Sequence, residues 1–179
     1  MTETETLFNG RWLRLRRRGR WEFVERTNPA GAVAIVALTP QGDLLLVEQW
    51  REAIASRSIE MPAGLIGDDA GGAHDDVLGA ARRELLEETG YACGTITWCM
   101  AGPTSSGMST EELAFVRAFD LVRMHAGGGD AGEDIIVHEV PLSAVPAWLT
   151  QKRAEGFSVD PKIFAGLYIV EHPEAFAAS

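Results

Sequence analysis

Hydrophobic positions along the chain fall into short runs with a strand rhythm, broken near the middle by one helical run. Over residues 8–26, Trp12, Leu13 and Leu15 are set among arginines, Gly19 is placed for a turn, and WEFVER returns, so paired strands are expected. The polar, acidic residues 1–6 ahead of them read as a disordered tail. Residues 32–39 (AVAIVALT) carry almost no polar side chain, the pattern of a central strand buried on both faces. Pro40-Gln41-Gly42-Asp43 signals a turn, and residues 44–49 are expected to return as a hairpin partner. A strand beginning at Glu60 leads into Pro62-Ala63-Gly64, and further strands are expected over 95–101, 113–119 and 135–140. Residues 124–133 (MHAGGGDAGE) read as a flexible acidic loop. Residues 143–154 have a helical pattern that opens around Pro146 and turns Trp148 and Leu149 inward, and 161–170 form a last helix.

The helical run in the middle covers residues 77–89. Asp75 or Asp76 supplies an N-cap, Leu78, Ala81 and Leu85 share a face, and Gly90 stands where a C-terminal cap belongs. Glu84, Glu87 and Glu88 stand at i, i+3 and i+4, so their carboxylates project from one side of the last two turns. Like charges at that spacing destabilise a helix by roughly 0.2–0.5 kcal/mol per pair, and carboxylates near a C-terminus oppose the helix dipole. Arg83, four residues before Glu87, offsets part of this. Such a face is either solvated or a site for a hard cation, because Mg²⁺ is held by one or two carboxylates and shares its shell with substrate phosphates.

Composition narrows the partners. The 179 residues suffice for one domain with a sizeable core. No apolar run approaches the length of a membrane span, the first residues are unlike a signal peptide, and Cys93 and Cys99 form no disulfide framework, so the cytoplasm is expected. A formal net charge of −10 disfavours nucleic acid and membrane surfaces, and an anionic substrate then needs local cations. The arginines between 11 and 20 could serve, although charged strand edges commonly exist to prevent pairing.

Arg83-Glu84-Leu85-Leu86-Glu87-Glu88-Thr89-Gly90-Tyr91 resembles, position for position, the second half of the Nudix box. Pro62-Ala63-Gly64-Leu65-Ile66 is similar to the lead-in to that box in the ADP-ribose pyrophosphatase branch. The first half departs from the family pattern: residues 68–74 read as an exposed insertion rich in Gly and Asp, and Asp75 stands where the first glutamate of the family belongs. GRWLRL and RWEFVERT resemble the N-terminal strands of dimeric ADP-sugar pyrophosphatases, and Gln49-Trp50-Arg51 matches a further motif of the branch. Residues 102–111 are similar to the mobile loop that delivers a catalytic glutamate, with Ser106 in place of the marker proline.

The resemblance implies an α/β fold, a Nudix α/β/α sandwich with a mixed sheet and an extra N-terminal antiparallel sheet. Residues 1–30 would form that sheet and serve dimerisation and base binding, and 31–179 the Nudix hydrolase domain. It further implies that Glu84, Glu87 and Glu88, with the Ala63 carbonyl, hold Mg²⁺ or Mn²⁺, and that Glu111, or its neighbour Glu112, orients or deprotonates the attacking water. Glu84 and Glu88 would be catalytic through the metal. Trp12 and Trp21 would stack on adenine at a subunit interface, Glu22 would accept from its amino group, and Arg26 and Arg51 would hold the nucleotide and its diphosphate. Packing on a strand face is the other reading of the two tryptophans, and Arg57 is a second candidate beside Arg51. Arg83 would fix the carboxylates, and the Asp160–Lys162 segment reads as structural. The implied reaction converts ADP-ribose and water into AMP and ribose 5-phosphate in a homodimer. GDP-mannose or another nucleotide sugar as substrate, and a non-catalytic sensor of such a molecule, are the alternatives.

Overall fold

The computed structural model of the chain describes residues 3–27, 31–67, 76–129 and 132–176. The arginine-rich N-terminal stretch forms a three-stranded antiparallel sheet of β1 (Thr4–Asn9), β2 (Leu13–Arg18) and β3 (Trp21–Arg26). Gly19, at φ 62°, makes the turn between the last two. The expected tail is corrected here. Thr4, Glu5 and Thr6 stand opposite Arg18, Arg17 and Arg16, and Arg17 Nη2 reaches Glu5 Oε2 at 2.7 Å, so cross-strand charge pairing extends the sheet almost to the N-terminus.

Two four-stranded sheets make the body of the fold. One has the order β7 (Ala63–Leu65), β4 (Ala32–Ala37), β9 (Glu112–Arg123), β8 (Tyr91–Pro103). The other has the order β10 (Ile136–Pro141), β5 (Asp43–Arg51), β6 (Ser56–Glu60), β11 (Ser158–Val159). The β4–β9 and β6–β11 ladders are parallel and the others antiparallel, so both sheets are mixed. The mixed α/β sandwich with an added N-terminal sheet is the expected architecture.

β4 and β5 are not the expected hairpin. They share one bridge, Leu38 with Leu44, and then part into different sheets. Both strands are apolar on both faces, and such a pattern fixes burial without fixing a neighbour. Val33 and Ile35 of β4 and Leu45 of β5 join Ala81 and Leu85 of helix α1 (Val77–Thr89) in one core cluster. Ala34, Val36, Leu44 and Leu46 join Leu149 of α2 (Val145–Ala154) and Ile163 of α3 (Lys162–Glu171) in the other.

Helix α1 has the expected bounds. Asp76 is its N-cap, with Oδ1 accepting from the Gly79 N–H at 2.7 Å; Asp75 and the 68–74 insertion lie outside the described residues. Gly90 ends the helix at φ 77°. The segment after β9, expected to be flexible, instead closes over this helix end. Met124 N–H donates to Gly90 O (2.8 Å), Gly128 N–H to Glu88 O (2.8 Å) and Gly129 N–H to Glu87 O (3.0 Å), satisfying carbonyls that the helix leaves without partners. A Cβ on Gly90 would overlap His125 O and fall 2.7 Å from Gly127 N. Gly90→Ala is therefore expected to destabilise the fold by about 2 kcal/mol or more and lower the melting temperature by roughly 5–10 °C. A thermal melt identical to wild type would show that this packing is not maintained in solution.

Candidate active site

The last turns of α1 open onto a cavity of about 420 Å³. Glu84 and Glu88 line it from the helix, Arg26 from β3, Gln49 and Arg51 from β5, Glu60 from β6, and Ala63, Gly64 and Leu65 from β7. Thr104 and Glu111 enter from the β8–β9 connection, and Glu133 and Lys162 from the segments before β10 and at the start of α3.

The two helix carboxylates differ in environment. Glu88 is 4% exposed, and its Oε2 accepts from the Ala63 N–H at 3.0 Å. Burial pushes its pKa up to about 8; Glu84 and Glu133 add to the rise, while the Ala63 N–H and Arg51 oppose it. Burial also raises Glu84, against the pull of Arg83 and with repulsion from Glu87 and Glu133. Arg83 Nη1 donates to Glu84 Oε1 at 2.8 Å and to Glu87 Oε2 at 3.0 Å, which is the bracing expected of it.

These residues fit a hard divalent cation. The donors are carboxylate oxygens, and burial raises both Glu84 and Glu88, a cost that a bound cation would offset. They do not converge as a finished cage: among the described residues no three Asp, Glu, His or Cys side chains are grouped to hold a metal. Glu84 is engaged by Arg83, and Glu88 by the Ala63 N–H, so binding would draw both from these partners. Glu87 does not line the cavity; its carboxylate turns to Arg83.

The cations near the cavity are held in advance. Arg51 Nε and Nη2 donate to the two oxygens of Glu60 at 2.8 and 2.6 Å. Burial alone would raise Glu60, but the Arg51 guanidinium holds it below the usual carboxylate range. Arg26 Nε donates to Glu111 Oε1 at 2.6 Å. Glu111 thus lines the cavity, whereas Glu112, the first residue of β9, is exposed and does not. Trp12, Trp21 and Glu22 do not line it either. The two tryptophans are 65% and 55% exposed on the N-terminal sheet, so a single chain does not bring them to the carboxylates. Arg57 is placed elsewhere, with Nε 2.6 Å from Glu48 Oε1 and Nη1 2.7 Å from Asp134 Oδ2.

Glu60, Glu133 and Lys162 are the charged lining residues that sequence reasoning did not select. Lys162, read as structural, faces the cavity while pairing with Asp160. Glu133 is delivered by the glycine run that closes the end of α1. Gly127, Gly128 and Gly129 all have positive φ (76°, 118° and 77°), so these glycines encode a tight wrap, and Arg57 anchors the adjoining Asp134. Three consecutive glycines with Glu133 four residues beyond them were the available signal; read as flexibility, they concealed it.

Gly64 makes room for Glu84. A Cβ there would overlap the Glu84 carboxylate, which Arg83 holds in place. Gly64→Ala is expected to lower kcat/KM by roughly 10–100-fold with little change in melting temperature, as when the support of a metal ligand is lost. Steady-state kinetics beside a thermal melt checks this, and unchanged kinetics would mean that the Glu84 position is immaterial.

The NUDIX domain family model matches residues 28–156. The chain belongs to the Nudix family. A methanol dehydrogenase activator from Bacillus methanolicus is 31% identical to this Nudix chain over 158 residues, covering 84% of the chain and 83% of the relative. An ADP-ribose pyrophosphatase from Bacillus subtilis is 36% identical over 91 residues, covering 51% and 46%. A GDP-mannose pyrophosphatase from Enterobacter is 34% identical over 142 residues, covering 75% and 68%. Among solved structures, an ADP compounds hydrolase superimposes with a TM-score of 0.71 at 21% identity, covering 95% of this chain and 90% of its own, which shows the shared fold.

Proposed function

We propose that this Nudix hydrolase cleaves the diphosphate bond of a nucleoside diphosphate sugar, with ADP-ribose the preferred candidate, giving a nucleoside monophosphate and a sugar phosphate. The observation that carries this reading is the joining, in one cavity, of the α1 carboxylates Glu84 and Glu88, both raised by burial, with Arg26, Arg51 and Lys162. Such a cavity suits a ligand bearing several negative charges that arrives with a divalent cation. The relatives named for ADP-ribose and GDP-mannose pyrophosphatase activity support the same substrate class.

Glu84 and Glu88, with the Ala63 carbonyl, would hold Mg²⁺ or Mn²⁺, and Glu87 would act through Arg83. The bound cation would supply charge neutralisation of the diphosphate and an activated water. Arg26, Arg51 and Lys162 orient the diphosphate by charge-assisted hydrogen bonds. Water attacks one phosphorus, the bridging P–O bond breaks toward the other phosphate, and the water proton passes to a carboxylate. Two carboxylates are placed to take it. The charge of Glu133 adds to the rise of both Glu84 and Glu88, which sets it near the proposed cation and favours it as the base, and Glu111 is the residue that sets Arg26.

Trp12, Trp21 and Glu22 would reach a base only across a second copy of the chain. Phe8, Trp12, Leu13 and Trp21 expose an apolar surface on the N-terminal sheet, which suits a homodimer built through residues 1–30. Within the described residues no helix is long and apolar enough to cross a membrane. Kinetics with ADP-ribose, ADP-glucose, GDP-mannose and dNTPs in Mg²⁺ tests the assignment. A kcat/KM for ADP-ribose at least tenfold above the others supports it, and a preference for GDP-mannose would retain the chemistry while reassigning the base and sugar.

A further inference from the structure

The N-terminal sheet is stitched to the loop that carries Glu111. Val24 N–H donates to Met108 O at 2.8 Å, and Thr110 N–H donates to Val24 O at 3.1 Å, forming a parallel bridge between Val24 and Ser109. One side of this seam has the Trp21 indole Nε1 donating to Gly107 O at 3.0 Å. On the other side Arg26 meets Glu111 at 2.6 Å. Trp21, Val24 and Arg26 thus meet Gly107, Met108 to Thr110, and Glu111 in the same chain direction. The neck of the loop is tied to itself, with Thr104 N–H donating to Glu111 O at 3.1 Å and Met108 N–H to Ser105 O at 2.9 Å.

We infer that β3 is a clamp that holds this loop in its working position, and that Trp21 is a positioning residue acting through Gly107. The seam is largely main chain, so its ladder survives most substitutions; the indole bond is the link that side-chain chemistry adds. It uses the edge of the ring, so the role is distinct from stacking on a base. A loop tied by these bonds presents Glu111, and with it Arg26, in one arrangement, which lowers the ordering that substrate binding must otherwise supply. The catalytic consequence rests on the proposed hydrolase function; the seam itself does not.

Trp21→Phe and Trp21→Ala in the full chain separate the possibilities, since phenylalanine keeps an aromatic face and loses only the N–H. Amide hydrogen exchange at Val24 and Thr110 is read without substrate. Steady-state kinetics are read with Mg²⁺, ADP-ribose and a ribose diphosphate diester bearing methyl in place of the nucleoside. The expected result for Trp21→Phe is exchange faster by roughly threefold to tenfold at both amides, the scale of one hydrogen bond. kcat is expected to fall by a similar factor on both substrates, with KM and the melting temperature nearly unchanged. Wild-type exchange and kcat in Trp21→Phe, with Trp21→Ala raising KM only for ADP-ribose, would overturn the inference in favour of stacking alone. Faster exchange with unchanged kcat would overturn the positioning role. If wild type cleaves neither substrate, the proposed function fails and the exchange data still decide whether the clamp exists.

Discussion

Glu88→Gln is expected to abolish metal-dependent turnover, by roughly 10²–10³-fold or more, while stabilising the metal-free protein above neutral pH. The second effect follows from burial. Glu88 has a folded pKa of about 8 against an ordinary value of 4.5. Below the ordinary value the carboxyl is protonated in both folded and unfolded chains, and stability is unaffected by this group. As pH rises from about 4.5 to 8 the unfolded carboxyl ionises while the folded one holds its proton, so stability falls, and above about 8 it levels off. A neutral glutamine keeps an oxygen for the Ala63 N–H and removes this loss. At pH 8 the gain has an upper scale on the order of 3–5 kcal/mol, read as a raised melting temperature in chelator. Adding Mn²⁺ or Mg²⁺ should reverse the order, stabilising wild type and leaving Glu88→Gln unmoved. A variant that melts like wild type in chelator and gains equally from metal would remove Glu88 from the site.

Glu133→Gln is expected to lower kcat by roughly 10²–10⁴-fold, the range of a lost general base, whereas Glu111→Gln should lower kcat less, by releasing Arg26 from its set position. The difference reflects partners. Glu133 shares the electrostatic environment of Glu84 and Glu88, while Glu111 makes a 2.6 Å ion pair with Arg26 and its loss frees a substrate-binding cation. The opposite ranking, with Glu111→Gln nearly inactive and Glu133→Gln mild, would return the base to the β8–β9 loop.

Much of this site is legible in the chain because local rules agree there. The cap at Asp76, the apolar face of Ala81 and Leu85, and Gly90 delimit α1 without tertiary information, and the i, i+4 spacing fixes Glu84 and Glu88 on one side. What is not legible is long-range. Residues 32–37 and 44–47 are apolar on both faces, so periodicity could not say that β4 and β5 enter different sheets. Glu133 reaches the cavity through a backbone wrap on the end of α1, and Lys162 through the docking of α3; neither has a local pattern that reports its neighbours. Glu87 shares the helix face of its fellows in sequence, yet it pairs with Arg83 outside the cavity while Glu84, held by the same arginine, lines it, a difference that spacing alone does not report. The Trp12 and Trp21 strands are legible, but the partner of an exposed aromatic face is not written in its own segment.

The most direct measurement follows the ³¹P NMR spectrum of ADP-ribose and of GDP-mannose incubated with the full chain, first in chelator and then with excess Mg²⁺. The expected result is a stable pair of coupled diphosphate resonances in chelator. On adding Mg²⁺ these should give way, for at least one of the two, to uncoupled monophosphate resonances of equal intensity, and remain unchanged in the Glu88→Gln protein. Diphosphate resonances that persist with Mg²⁺ while the nucleotide sugar is demonstrably bound would contradict hydrolysis at the α1 cavity and leave the protein a binder of its ligand.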